Sequence, residues 1–244
     1  LFTIDEETGL TGAQEIAGDM LEGRILLNMD SEEDGAVYIG CAGGQDAELF
    51  LKIDTEKVPS GFKGVMVKVT GLMGGHSGLN IHEGRGNAIK LLTRFLWKTM
   101  PEVGGRMASF DGGSKHNAIP READAVVFLP ADKVADLKKI AEKYDAIFKD
   151  EYKMSDPKVA LSVEESGFEQ PGEMYTSLFH NRLLNLLYSL PHGVLAMSHA
   201  IPGLVETSTN LAVVSQKNGS IAILTSQRSS VGSELTELHD MVRA

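Results

Sequence analysis

Cysteine is all but absent: Cys41 is the single one in 244 residues. No intramolecular disulfide can therefore hold this fold, which suits a reducing compartment. Positive charge is also scarce. Lys and Arg number 23 against 34 Asp and Glu, a formal net charge of −11. That balance argues against a DNA or RNA partner, whose binding rests on clustered cations meeting phosphates. No apolar run approaches the roughly 20 residues that span a bilayer; Ile221–Leu224 and Gly193–Met197 are strand-sized. Walker loop, GxSxG elbow, CxxC and HExxH are all missing. Gly40–Gly44 is not followed by the helix pattern that a dinucleotide fingerprint requires. There is no initiator Met, basic n-region or signal peptide. The chain opens on the apolar, β-prone run Leu1–Ile4, which reads as a buried strand end, and stops inside a helix-like pattern at Met241–Ala244. It is expected to be an internal piece of a longer protein.

What is present is the composition of an ordinary globular protein, 42% hydrophobic and 23% charged, with length for one large domain or two smaller ones. The first sixty residues follow an α/β rhythm: strand Leu1–Ile4, an acidic turn, a helix over Thr11–Met20, a second apolar run over Arg24–Asp30, another acidic loop, and a short strand over Val37–Cys41. From Ser60 the style changes. Phe62–Thr70 alternates as a half-buried strand, and Gly71–Gly78 is a glycine-dense loop around His76. Gly84–Met100 has the apolar spacing of a long helix. Strands are expected over Val103–Phe110 and Ala123–Leu129, an amphipathic helix capped by Asp132 over Asp132–Lys149, and a strand over Lys158–Glu164. That order, β-α-β-β-α-β, is ferredoxin-like. A second such unit begins with a helix over Met174–Leu190. It continues with strands Val205–Gln216 and Ser220–Arg228 about an Asn218-Gly219 hairpin turn, and ends with a helix over Glu234–Ala244. One more strand would close it.

Six segments carry candidate chemistry. In Asp5-Glu6-Glu7-Thr8-Gly9, adjacent carboxylates after a strand point in different directions. One can ligate a metal while the other reaches a metal-bound water; the plainer alternative is a solvated acidic turn at a helix start. Asp30, in Asn28-Met29-Asp30-Ser31-Glu32-Glu33, ends the second strand where a rigid ligand could stand, or is part of an acidic cap. His76 lies among glycines that permit close approach; many loop histidines are surface residues. Asn117 and Asn210 could donate to a carboxylate or an oxyanion, or merely organise their own turns. Arg228, at a strand end, could grip a carboxylate bidentately or make a surface ion pair.

Together the motifs resemble the co-catalytic zinc peptidases of the aminoacylase and carnosinase type. Their order is Asp-Glu-Glu-x-Gly, Asn-x-Asp-Ser-Glu-Glu, Gly-Gly-His-Ser-Gly and Asn-Ala-Ile-Pro. The segments Leu27–Gly35, Tyr38–Gly44, Val205–Leu211 and Thr225–Ser230 are similar to the aminoacyl-histidine (Xaa-His) dipeptidase branch. The resemblance implies an α/β fold: residues 1–58 as a fragment of the catalytic zinc-peptidase domain, and residues 59–244 as an α+β lid or dimerisation domain lacking its last strand. It implies two zinc ions bridged by a water, with Glu6 as general base and Glu7 and Asp30 as metal ligands. It further implies His76 as oxyanion donor from the lid, and Asn210, Arg228 and Asn117 as contacts to a dipeptide's C-terminal carboxylate. The expected partners are a dipeptide and, through the lid, a second copy, in the cytoplasm, with no nucleic acid and no membrane. The family's His-x-Asp segment, bridging Asp and downstream His ligand are not in these residues, so the chain by itself is expected to be inactive. Two alternatives stay open: a non-enzymatic dimerisation or binding module, and another exopeptidase or deacylase of the same family.

Overall fold

A computed structural model describes residues 2–5, 10–27, 35, 37, 40–165 and 172–244. They divide into two units, Leu1–Cys41 and Ala42–Ala244. The boundary thus falls before residue 58, because the strand that follows Cys41 belongs to the second unit's sheet.

In the first unit the only helix among the described residues is α1 (Thr11–Gln14). The longer helix expected over Thr11–Met20 does not form there: Leu10 precedes it in the left-handed region with no side-chain cap, and Gly12 and Gly18 weaken the run. No strand occurs among the described residues of 2–4, 24–27 or 37–41. Phe2 is fully exposed, and Ile25, Leu26 and Leu27 largely so. An apolar run with no strand beside it cannot satisfy its backbone as a ladder.

The strands of the second unit begin with β1 (Gly43–Lys52), β2 (Thr55–Lys57), β3 (Phe62–Thr70) and β4 (Gly75–His76). After helix α2 (Ala88–Val103) come β5 (Arg106–Met107), β6 (Asp111–Gly112), β7 (Ala118–Ile119) and β8 (Ala123–Pro130). Helix α3 (Val134–Glu151) precedes β9 (Ala160–Glu165) and β10 (Glu173–Tyr175). Helix α4 (Ser177–Ser189) leads to β11 (Gly193–Met197), β12 (Val205–Lys217) and β13 (Ser220–Ser229), and α5 (Gly232–Arg243) follows.

A nine-stranded antiparallel sheet runs β1-β13-β12-β6-β8-β3-β9, with β11 also on β12 and β5 on β8. Its β6-β8-β3-β9 half is the order that a ferredoxin-like β-α-β-β-α-β chain produces, as expected. The other half holds a correction. β1, read with the preceding domain, pairs with β13 over ten residues, Gly43 with Ser229 to Lys52 with Ser220. It stands beside β13 as β3 stands beside β8, so the second ferredoxin-like repeat takes a strand from far upstream.

Smaller departures have local causes. The strand expected over Val103–Phe110 is reduced to β5, since α2 runs on to Val103, and β6 lies just beyond the expected range. Asp132 does not cap α3: a 3-10 turn over Ala131–Lys133 precedes it, and Lys133 is its N-cap without a side-chain bond. Helix α4 starts at Ser177, where Thr176 Oγ1 accepts the Phe179 N–H at 3.3 Å, and the residues before it are drawn off to pair with β2.

The core lies where α2 meets the sheet. Leu92, Phe95, Leu96 and Met100 face Val65, Val67 and Val69 of β3 and Val127 and Leu129 of β8, with α3 and α4 packed alongside. Lys90 Nζ donates to the carbonyls of Leu187, Tyr188 and Leu190, tying α2 to the end of α4. The β12–β13 turn uses Asn218 (φ 50°) and Gly219 (φ 75°) in the left-handed region, which sets the hairpin register.

His180 is buried on α4, its Nδ1 accepting the Met107 N–H at 3.2 Å. Burial, assisted by the Arg106 charge, lowers its pKa from 6.5 to about 4. The unfolded chain therefore binds this proton first. As pH falls from 6.5 towards 4 the fold loses stability, by as much as ~3 kcal/mol, while above 6.5 this contribution is constant. His180→Asn keeps an acceptor for Met107 but takes up no proton. Urea titrations should give it a shallower acid-side loss than the wild type; equal slopes would remove His180 from the account.

Candidate functional site

His76 stands at the end of β4, which pairs with β7 in the register His76–Ala118. One residue on, Ser77 N–H donates to the Asn117 carbonyl at 2.8 Å. The His76 amide is received by Asn80 Oδ1 at 2.9 Å, and the ring's Nδ1 accepts the N–H groups of Gly78 and Leu79, each at 3.2 Å. Two amide donors on Nδ1 place the neutral ring's proton on Nε2, so the imidazole is held as an Nε2–H donor. Asn80 is fixed in turn by Glu83, and Glu83 by Arg85, which also reaches the Gly74 carbonyl. Position 78 is closely packed: a Cβ there would meet His76 Cε1 at 3.0 Å and Arg228 Nη1 at 3.1 Å.

That distance places Arg228 beside the loop. Arg228 lies opposite Ser208 and Asn210 opposite Ser226 in the β12–β13 ladder, so all four share one face. The other face carries Thr207 and Gln227, which turn to Glu234 and His239 of α5. Asn210 is 1% exposed. Its Nδ2 donates to the carbonyls of His116 (3.2 Å) and Ala118 (2.8 Å), bracketing Asn117. Both of its protons are spent on the backbone, so Oδ1 is left as an acceptor.

Asn210 Oδ1, Arg228 Nε and Ser77 Oγ are buried polar atoms with no hydrogen-bond partner among the described residues. Such orphans carry a desolvation cost and mark where a ligand's polar groups are missing.

Four expected site residues are thus brought together: His76 and Asn117 on the loops, Asn210 and Arg228 on the sheet. Asn117 takes part through its backbone. Glu6, Glu7 and Asp30 lie outside the described residues. Among those described, no group of three or more His, Cys, Asp or Glu could hold a metal. Sequence reasoning missed Ser77, which only its place next to His76 could have flagged. It also missed the Asn80–Glu83–Arg85 chain, whose spacing reads as an ordinary polar turn. A cavity of about 420 Å³ adjoins the cluster through Ala118 and Ile119 but contains none of the four. Its cross-strand acids Asp111 and Asp124 are both raised above the usual carboxylate range, chiefly by burial.

Residues 67–156 match the family model of the peptidase dimerisation domain. The chain is 41% identical over 223 residues, 91% of its length, to the cytosol non-specific dipeptidase of Escherichia coli (strain K12), of which the match covers 46%. It is similar to the crystal structure of aminoacylhistidine dipeptidase from Vibrio alginolyticus, with a TM-score of 0.87 and 38% identity, covering 99% of this chain and 49% of that one. The chain spans about half the length of both relatives.

Asn210→Asp would turn an oxygen on the His116 and Ala118 carbonyls in place of two donors. Urea denaturation should show a loss of at least about 2 kcal/mol. An unchanged midpoint would mean that the Asn210 amide does not hold the 116–118 segment.

Proposed function

We propose that this chain, which carries a peptidase dimerisation domain match and is similar to a cytosol non-specific dipeptidase and an aminoacylhistidine dipeptidase, supplies the lid of a metal-dependent dipeptidase acting on Xaa-His dipeptides in the cytosol. The observation that carries this reading is the set of three unpartnered buried polar atoms beside a histidine fixed as an Nε2–H donor.

In this reading the His76 Nε2–H donates to the scissile carbonyl oxygen as negative charge develops there. The backbone bonds that fix its tautomer mean that little reorganisation accompanies the reaction. Arg228 grips the substrate's C-terminal carboxylate, a charge present before and during the reaction. Asn210 takes a part other than a carboxylate donor: its Oδ1 suits a substrate N–H, while its Nδ2 holds the 116–118 segment. Asn117 supports the loop through its carbonyl. Glu7 and Asp30 would be carboxylate ligands to zinc, a set that cation accepts, and Glu6 the general base; the bound metal would acidify a water. The lid would also join two copies, as the name of the matched family suggests.

The test uses the full open reading frame that contains this sequence. With metal it should hydrolyse Xaa-His dipeptides and lose that activity to a chelator. No hydrolysis of any dipeptide by the metal-loaded protein would overturn the reading. His76→Ala should lower kcat about 10²–10³-fold with little change in KM, as loss of one oxyanion donor does. Arg228→Ala should raise KM instead, and a C-terminally amidated substrate should do the same to the wild type. The variant should not distinguish the two substrates, because both changes remove one contact.

A further inference from the structure

Asp156 lies in the turn between α3 and β9, far along the chain from His76. Its side chain is fully buried. Its backbone is pinned on both sides: its N–H donates to the Tyr152 carbonyl at 2.7 Å, and its carbonyl receives the Val159 N–H at 3.0 Å. The carboxylate then divides between two donors. Oδ1 accepts the Met73 N–H at 2.7 Å, and Oδ2 accepts the Gly86 N–H at 2.6 Å. Among the described residues no Lys, Arg or His forms an ion pair with it, so these amides carry the buried charge.

Met73 and Gly86 are the two feet of the loop that carries His76. One side chain from elsewhere in the fold therefore closes the base of that loop. Gly86 is also closely packed: a Cβ there would stand 2.8 Å from Leu72 Cδ2, which would have to shift. Above the feet, the His76 ring is held by the N–H groups of Gly78 and Leu79, and its backbone amide by Asn80 Oδ1. The turn sets which nitrogen carries the proton, and the strut beneath sets where the turn stands. Arg228 and Asn210 are anchored separately, on β12 and β13.

We propose that Asp156 is a positioning residue for the candidate site: its carboxylate, clamped between the Met73 and Gly86 amides, places His76 relative to the sheet-borne Arg228. The proposal rests on the dipeptidase reading. Catalysis is sensitive to such placement, since displacements near 1 Å can cost about 100-fold in rate. Releasing the strut moves the oxyanion donor and leaves the carboxylate grip in place. The loss therefore falls on kcat rather than KM, and, unlike a loss of folded enzyme, it does not multiply with that of His76→Ala.

The test compares Asp156→Asn, His76→Ala and the double variant in the full-length, metal-loaded enzyme. The amide keeps the shape of the carboxylate but turns a donor towards one of the two N–H groups. Asp156→Asn should lower kcat about 10- to 100-fold with KM within twofold, and the double variant should be no slower than His76→Ala alone. Should Asp156→Asn not fold, Asp156→Ser, which keeps one acceptor and adds no opposed amide, carries the same comparison. Wild-type kcat in the folded Asp156 variant, or a loss that multiplies with that of His76→Ala, overturns the proposal while leaving the dipeptidase reading intact. Wild-type kcat in His76→Ala overturns both.

Discussion

The register of β12 against β13 is the constraint on which the rest of the molecule depends. Two left-handed residues, Asn218 and Gly219, set it at the turn, and a bulge between Leu211 and Val213 shifts it by one residue into the pairs Asn210–Ser226 and Ser208–Arg228. Side chains alternate along a strand, so without that shift Asn210 would oppose Gln227 and lie on the face away from Arg228. The same hairpin receives β1 on one side and β11 and β6 on the other. The polar cluster and the junction between the two halves of the sheet thus share one geometric origin.

Around that hairpin, polar groups are settled by the backbone more than by opposite charges. The His76 ring is oriented by amides, Asn210 by carbonyls, and Lys90 by the end of a helix. The ion pairs of this chain lie among partly exposed side chains, where such pairs contribute little. Backbone groups have fixed positions, so they restrict what they hold more tightly than long charged side chains can.

Much of this was legible in the sequence where the signal is local. Phe62–Thr70, Ala123–Pro130 and the Asn-Gly hairpin announce themselves by alternation and turn chemistry, and α2 by its apolar spacing. The grouping of His76, Asn117, Asn210 and Arg228 was read from motif order. The failures are non-local. Gly43–Lys52 opens with Gly-Gly-Gln-Asp, weak strand formers, and is a strand because β13 lies beside it. Leu1–Ile4 and Ile25–Leu27 have the better composition, yet no ladder forms in their described residues. Asp156, between Ser155 and Pro157, has the signature of a turn residue; its two amide partners lie 83 and 70 positions away and leave no trace in sequence spacing. The role of Asn210 needed coordinates as well, because its residue type cannot say which end of the amide is spent.

The pairing of β1 with β13 also has a meaning for the order of events on the ribosome. Gly43 meets Ser229, and Lys52 meets Ser220, so this strand is made long before its neighbour exists. At translation speeds of roughly 5–20 residues per second it waits on the order of ten to forty seconds. Meanwhile the β3–β9 half, complete in its own contiguous stretch, can collapse first. This edge strand of the sheet is therefore also an exposed, unsatisfied ribbon in the nascent chain, and a natural client for a chaperone until residues 220–229 arrive.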